Sequence, residues 1–379
     1  MIINQLTLKN FRNHTNTEVE WGKRLNIITG SNGAGKTNLI DAIHYLCMSR
    51  SFVSTTDQYV LQFGEKELII TGKFSGSIRS NFQVTCSYSR GNGKKILIND
   101  SPLDKLSDLI GMVPVVVLSP DDKKLTSEGP SERRSFLDSF ISQLSKSYLK
   151  DLIEYRRVIK QRNTLLSNQS LSQSALRTLL EPWDEQLIRL GSKITVKRAE
   201  ILHRFSIFLE QGYELIAGIG HRPKLEYKAF TDEISSIESL ETAYREALSN
   251  DFARERDRQL TLTGPHRDDI TFYLDDMELR KFGSQGQHRL FALALKIAQR
   301  NFYEHELDDL PIFLLDDVFG DLDPHKTNVL VEMLTNQSGQ TFITSANKNL
   351  FVNFVESKED EIHYYEVDNG LVTMTTSEK

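Results

Sequence analysis

Lys36 and Thr37 close the stretch Gly30-Ser31-Asn32-Gly33-Ala34-Gly35-Lys36-Thr37, which has the form G-x-x-x-x-G-K-[ST] of a Walker A phosphate-binding loop. Such a loop curls so that successive backbone N–H groups point at the phosphates of a nucleotide, and glycine permits that curl. The Lys36 ammonium supplies mobile positive charge for the β- and γ-phosphates, and the Thr37 hydroxyl is a Mg²⁺ ligand. Far along the chain, the apolar run Ile312-Phe313-Leu314-Leu315 ends in Asp316-Asp317. A carboxylate at the end of a buried strand is the Walker B partner of such a loop. Asp316 is expected to hold the magnesium ion beside Thr37, and Asp317 to polarise an attacking water as general base.

The elements needed to position these groups are written around them. Leu25-Asn26-Ile27-Ile28-Thr29 reads as a short buried strand, and Leu39, Ile40, Ile43, Leu46 and Cys47 recur at helical spacing. The chemistry therefore sits between a strand and a helix whose N-terminus directs its partial positive charge at the phosphates. A third group lies in Gly283-Ser284-Gln285-Gly286-Gln287, which leads into an amphipathic helix and resembles the signature loop of ABC-type ATPases, with Gln285 in place of the first glycine of Ser-Gly-Gly-Gln. Ser284 lies 32 positions before Asp316, and Asp323 follows in the tight acidic loop Gly320-Asp321-Leu322-Asp323. By that resemblance Ser284, in trans, would reach the γ-phosphate of a nucleotide held by a second copy. By the same resemblance Gln287 would be a catalytic residue, and Gln285, Gly286 and Asp323 would lie with Ser284 at the shared interface. Taken alone, Ser284 also reads as a helix cap.

With 379 residues, 39% hydrophobic and 26% charged, the chain is long enough for two or three ordinary globular domains. No apolar run approaches the ~18 residues a membrane helix needs. The first residues lack a signal peptide's basic and apolar regions, and Cys47 and Cys86 form no metal spacing, so a reducing cytoplasm is expected and no membrane partner. The net charge of −6 argues against a generally basic nucleic-acid binder, so any DNA surface must be local. Residues 139–204 reverse the balance, with twelve Lys or Arg against six Asp or Glu. Arg156, Arg157 and Lys160 fall on one helical stretch there and are the candidate DNA contacts, against the plainer reading of a solvated helix face.

Residues 2–9 alternate as an N-terminal strand. Phe82, Val84, Cys86 and Tyr88 alternate toward a turn at Arg90-Gly91-Asn92-Gly93, giving an antiparallel sheet beside the parallel one. Val113 to Leu118 reads as a buried strand, the stretch from about 130 to 260 as almost wholly helical, and Thr341 to Thr344 as the final core strand. The expected fold is α/β, an ABC-type ATPase head with an inserted helical arm. Residues 1–119 and 261–379 form the two parts of the head, and 120–260 form the arm.

Lys36 and Ser284 are 248 positions apart, too far for a transporter ATPase subunit. Together with Pro120-Asp121-Asp122, Pro130-Ser131-Glu132-Arg133-Arg134-Ser135-Phe136-Leu137-Asp138, Gly264-Pro265-His266-Arg267-Asp268-Asp269 and Leu314-Leu315-Asp316-Asp317-Val318-Phe319, this makes the chain resemble, end to end, the RecF family of bacterial DNA replication and repair proteins. Val53 replaces an arginine usual after Ser51-Phe52, and Thr344-Ser345 stands where transporters carry a switch histidine. The resemblance implies ATP and Mg²⁺ as cofactors and an ATP-dependent homodimer clamping duplex DNA near single-strand/double-strand junctions. It further implies slow hydrolysis that releases the clamp, RecR- and RecO-type mediators as partners, and a part in the SOS response.

Overall fold

A computed structural model describes residues 1–77, 80–218, 220–232, 234, 236–321, 323–336, 338–347 and 361–375. The chain divides into two compact units, residues 1–122, 215–218 and 293–379 in one, and 123–214 with 219–292 in the other.

The first unit opens with strands β1 (Ile2–Phe11), β2 (His14–Glu20) and β3 (Leu25–Thr29), then helix α1 (Lys36–Met48). Strands β4 (Glu67–Ser75), β5 (Phe82–Ser89), β6 (Gly93–Ile98), β7 (Ser101–Pro102) and β8 (Val115–Leu118) follow. The second unit holds helices α2 (Lys124–Ser127), α3 (Pro130–Leu144), α4 (Lys146–Leu166) and most of α5 (Gln173–Ala217), then β9 (Pro223–Lys228) and α6 (Ile237–Arg258). Strands β10 (Asp269–Leu274) and β11 (Met277–Glu278), helix α7 (Leu279–Phe282) and the start of α8 (Gln285–Glu306) complete it. Strand β12 (Ile312–Asp316), helix α9 (Pro324–Asn336), and strands β13 (Thr341–Ser345), β14 (Ile362–Asp368) and β15 (Leu371–Thr375) return to the first unit.

Within the first unit one sheet runs β2-β1-β4-β5-β6-β7, antiparallel throughout, and another runs β15-β14-β3-β13-β12-β8, parallel except for β15. All five residues of β3, of β12 and of β13 are buried, as parallel strands covered on both faces require. Helix α1 packs on both sheets. Leu39, Ile40, Ile43, Leu46 and Cys47 join Leu6, Leu8, Ile70 and Val84 of the antiparallel sheet and Ile28, Leu314 and Phe342 of the parallel one in a single apolar cluster. The helix is therefore buried nearly all round, and its N-terminus is held at the carboxyl ends of β3 and β12.

Three expectations change. The parallel sheet does not end at Thr341–Ser345, because β14 pairs with β3 on its other side, Ile362 opposite Leu25 and Glu366 opposite Thr29. The stretch from 130 to 260 is not wholly helical, since β9 pairs antiparallel with β10. The boundary expected at 261 falls near 292: residues 261–292, with β10 and the Ser284 loop, are compact with the helical unit. Helix α8 runs unbroken through that boundary, so no turn or linker marks it in the sequence.

Candidate nucleotide-binding site

Gly30 and Gly35 bracket the loop at φ +151° and +115°, conformations that side chains rarely adopt. A Cβ on Gly30 would stand 2.3 Å from the carbonyl oxygen of Val367 on β14, so the close packing there also demands glycine. The loop is braced from beneath by two distant turns. Asn13, between β1 and β2, donates from Nδ2 to the Ala34 carbonyl at 2.9 Å and accepts from Asn38 on α1 at 2.7 Å. Gly370, in the β14–β15 turn, donates its N–H to the same Ala34 carbonyl at 3.0 Å. The buried His14 ring sets Nε2 3.1 Å from the Gly35 carbonyl and Nδ1 3.0 Å from the Gly370 carbonyl, with Thr17 Oγ1 also 3.0 Å from Nδ1. Burial pushes its pKa below the ordinary imidazole value despite those carbonyls. These contacts fix the Ala34 and Gly35 carbonyls at the end of the loop that leads into α1.

Lys36 donates to the Gly30 and Ser31 carbonyls at 2.8 and 2.9 Å. The Lys36 residue is 7% exposed, and burial lowers its pKa while the charges of Asp317 and Asp316 oppose that shift. Thr37 Oγ1 donates to Asp316 Oδ1 at 2.8 Å, uniting the ends of the two motifs across 279 residues of chain. Thr344, at the end of β13, donates to the same oxygen at 2.7 Å and accepts the Asp317 N–H at 3.0 Å. Asp316 is buried, which raises its pKa, while the two hydroxyls and the neighbouring carboxylates pull in opposite directions. Asp317 is exposed and adopts φ +47°, in the left-handed region, directly after the strand that Asp316 ends. A hydroxyl and a carboxylate oxygen within hydrogen-bond distance form a hard-oxygen pair suited to Mg²⁺. Among the described residues no cluster of three acidic, His or Cys side chains offers a separate metal cage.

The Ser284 loop lies in the second unit and forms a reciprocal cap on α8. The Ser284 hydroxyl accepts the Gln287 N–H at 3.2 Å, and Gln287 Oε1 accepts the Ser284 N–H at 2.8 Å. Ser284, Gln285 and Gly286 are exposed. Asp323 caps α9, with Oδ1 accepting the Lys326 N–H at 3.0 Å and Oδ2 the Lys326 ammonium at 2.7 Å, bonds that lower its pKa. Asp321 and Leu322 lie outside the residues whose side chains are described.

On α4, Arg156 is paired with Asp138 at 2.8 Å, Arg157 with Glu154, and Lys160 is exposed. Sequence reasoning passed over Asp41, fully buried on α1, which binds Arg12 at 2.8 Å, the Ser51 hydroxyl at 2.7 Å and the Phe52 N–H at 2.9 Å. The signal for it was a carboxylate inside an otherwise apolar helix. Asn13, His14 and Gly370 left no signal, because what each contacts in the loop is a main-chain carbonyl, of Ala34 or Gly35.

A family model described as the RecF/RecN/SMC N terminal domain matches residues 2–371. The DNA replication and repair protein RecF of Salinibacter ruber is 40% identical over 355 residues, covering 93% of this chain and 86% of that protein. RecF of Chloroherpeton thalassium is 38% identical over 365 residues, covering 94% and 97%. A solved structure of the recombination mediator protein RecF with ATP, of the RecFOR pathway, matches with a TM-score of 0.90 at 27% identity over 99% of this chain and 97% of that one. An Smc head solved with the C-winged helix domain of ScpA is similar in fold alone, with a TM-score of 0.57 at 14% identity.

Proposed function

Because the chain belongs to the family of RecF, RecN and SMC N-terminal domains, we propose that it is an ATP-dependent DNA-binding protein of recombinational repair and replication maintenance. The observation that carries this reading is the hydroxyl–carboxylate chain Thr37–Asp316–Thr344–Asp317 beside Lys36 at the mouth of a braced phosphate loop. ATP would lie with its phosphates against the N–H groups of residues 30–37. Lys36 would neutralise the β- and γ-phosphates. Mg²⁺ would be held by Thr37 and Asp316, and when bound would offset the charge of the phosphate oxygens. Asp317, exposed directly after the strand, would orient the attacking water and take its proton.

The exposed first turn of α8 would engage the γ-phosphate of a nucleotide on a second copy, through Ser284 and the free helix N–H groups, with Gln285, Gly286 and Asp323 at the shared surface. ADP lacks the group that completes this contact, so ATP would favour the dimer and slow hydrolysis would release it. In this reading the dimer clamps duplex DNA near single-strand/double-strand junctions, reading phosphates rather than bases, and acts in the cytoplasm with RecR- and RecO-type mediators, including in the SOS response.

The test is solution mass and duplex affinity measured together with ATP, ADP and no nucleotide at fixed salt. An ATP-only dimer with tighter DNA binding, lost in Ser284→Arg, is the expected result. A monomer indifferent to nucleotide, or DNA binding that ignores ATP, would overturn the mechanism.

A further inference from the structure

Ser131, Arg134, Ser135 and Asp138 recur at i, i+3, i+4 and i+7 and so share one face of α3. That face lines a cavity of about 210 Å³ in the helical unit, closed by Tyr155 and Arg156 of α4, Arg198 of α5 and His266. Asp138 is the one carboxylate in the lining, and two guanidiniums share it: Arg198 at 2.7 Å on Oδ1 and Arg156 at 2.8 Å on Oδ2. Arg134 donates to the Asp268 carbonyl at 2.9 Å and has no carboxylate within ion-pair distance among the described residues. Behind the lining, Arg133 is matched by Asp269, Arg198 also approaches the buried Asp268 at 3.7 Å, and Arg267 donates to the Thr261 carbonyl at 3.2 Å. Five guanidiniums thus face three carboxylates, an excess of about two positive charges in a chain whose net charge is −6. His266 adds none at neutral pH, because burial pushes its pKa down to about 4.

The mouth of the cavity is polar and open. Ser131 and Ser135 are exposed, Ser131 lies in the first turn of a 15-residue helix where N–H groups lack intrahelical partners, and Arg156 is 63% exposed. Lys160 continues the same face of α4 one turn on, also exposed. A structural salt-bridge network would balance its charges and seal itself. This one leaves a half-buried guanidinium, two hydroxyls and a helix terminus around a solvent-accessible hollow.

We propose that this cavity is a phosphate seat for the backbone of nucleic acid, with Arg134 and Arg156 as its charged donors and Ser131 and Ser135 as its neutral ones. It rests on the DNA-binding reading above and sharpens it from a diffuse basic helix face to one fixed contact. Arg198 and Asp138 are the positioning pair: Asp138 orients Arg156 at the mouth, while Arg198 is held from behind by the Pro265 carbonyl at 2.6 Å and the Tyr148 hydroxyl at 3.0 Å.

The experiment uses the full chain with ATP and a fluorescent duplex of fixed length, with affinity measured across a salt series. Arg134→Gln should weaken binding about tenfold, the loss expected for one charge-assisted contact. It should also reduce the slope of log affinity against log salt by about 0.9, irrespective of duplex sequence. Ser135→Glu, on an exposed residue that leaves the fold intact, should weaken binding at least as much, and Ser135→Gln far less. ATP-dependent solution mass should not change in any of them. Wild-type duplex binding with unchanged affinity and slope in Arg134→Gln and Ser135→Glu would overturn the phosphate seat alone. Unchanged DNA binding with loss of an acidic protein partner would reassign the cavity and overturn it equally. Absence of wild-type duplex binding would instead bring down the reading on which it rests.

Discussion

Replacing Thr344 by valine removes one hydroxyl and keeps the shape of the side chain. Thr344 is 1% exposed, so the effect is electrostatic rather than a loss of packing. Two bonds go. The 2.7 Å bond to Asp316 is to a charged acceptor and contributes about 1.5–3 kcal/mol, and the Asp317 N–H loses its 3.0 Å acceptor at a cost of about 1–3 kcal/mol. The first loss falls on a carboxyl already pushed up by burial, with Thr37 left as its sole hydroxyl donor. Losing that donor to its charged form should push the Asp316 pKa further up. Because its folded-state pKa already lies above the unfolded value, ionised Asp316 opposes folding, fully above the folded pKa and not at all below the unfolded one. The valine variant should therefore be roughly 3 kcal/mol less stable at neutral pH. That deficit should shrink as pH falls through the Asp316 titration, leaving only the share due to the Asp317 N–H. Steady-state ATPase rates at saturating Mg·ATP should show the acid limb displaced upward, and denaturant unfolding across a pH series should give the stability change. A pH-independent deficit with the acid limb unmoved would refute the claim that Thr344 governs the charge of Asp316.

Lys36→Ala should abolish nucleotide binding and loosen the loop, since the bonds to Gly30 and Ser31 vanish with the ammonium; titration of a labelled nucleotide tests it. Asp317→Asn should bind ATP normally but fail to turn it over, so that the dimer accumulates in solution-mass measurements. Arg162→Met should cost about 3–5 kcal/mol, because Asp184 and Glu255 at 2.6 and 2.7 Å lose their shared buried cation. Burial holds both carboxyl pKa values above their unfolded values, so unfolding experiments should find part of that loss recovered on acidification. Cys47 and Cys86 are both buried, and burial pushes the Cys86 thiol up to about 12, so neither should react with an alkylating reagent until the first unit unfolds.

What could be read from the sequence was what is contiguous in it. The strand, loop and helix around Lys36 occupy adjacent residues, and each carries its own local signature. Strand β14 was missed because His363, Tyr364 and Glu366 alternate with its core residues, and it reads as a half-exposed hairpin arm although Ile362, Tyr365 and Val367 are buried. The Ser284-Gln285-Gly286-Gln287 string satisfies two descriptions together, a helix-capping box and a phosphate-facing turn, and the observed cap is compatible with both. Asn10-Phe11-Arg12-Asn13 is, in the sequence alone, a turn carrying one aromatic and one basic residue. The roles of Arg12 and Asn13 depend on Asp41, Ala34 and Asn38, which approach only once β1 and α1 have packed.

The position of β3 in its sheet has a consequence for how the protein is made. Both of its neighbours are encoded more than three hundred residues downstream, at Thr341–Ser345 and Ile362–Asp368, and the turn that steadies Ala34 arrives last, at Gly370. At about 5–20 residues per second, a ribosome needs roughly 15–60 s to deliver those partners after Leu25-Asn26-Ile27-Ile28-Thr29 has emerged. For that interval a strand apolar enough to be wholly buried in the finished sheet has unpaired edges and no native neighbour. Nucleotide binding is thus a property that the chain can acquire only once residues beyond 341 have been made, and a nascent chain stalled before residue 341 should depend on chaperones and bind no ATP.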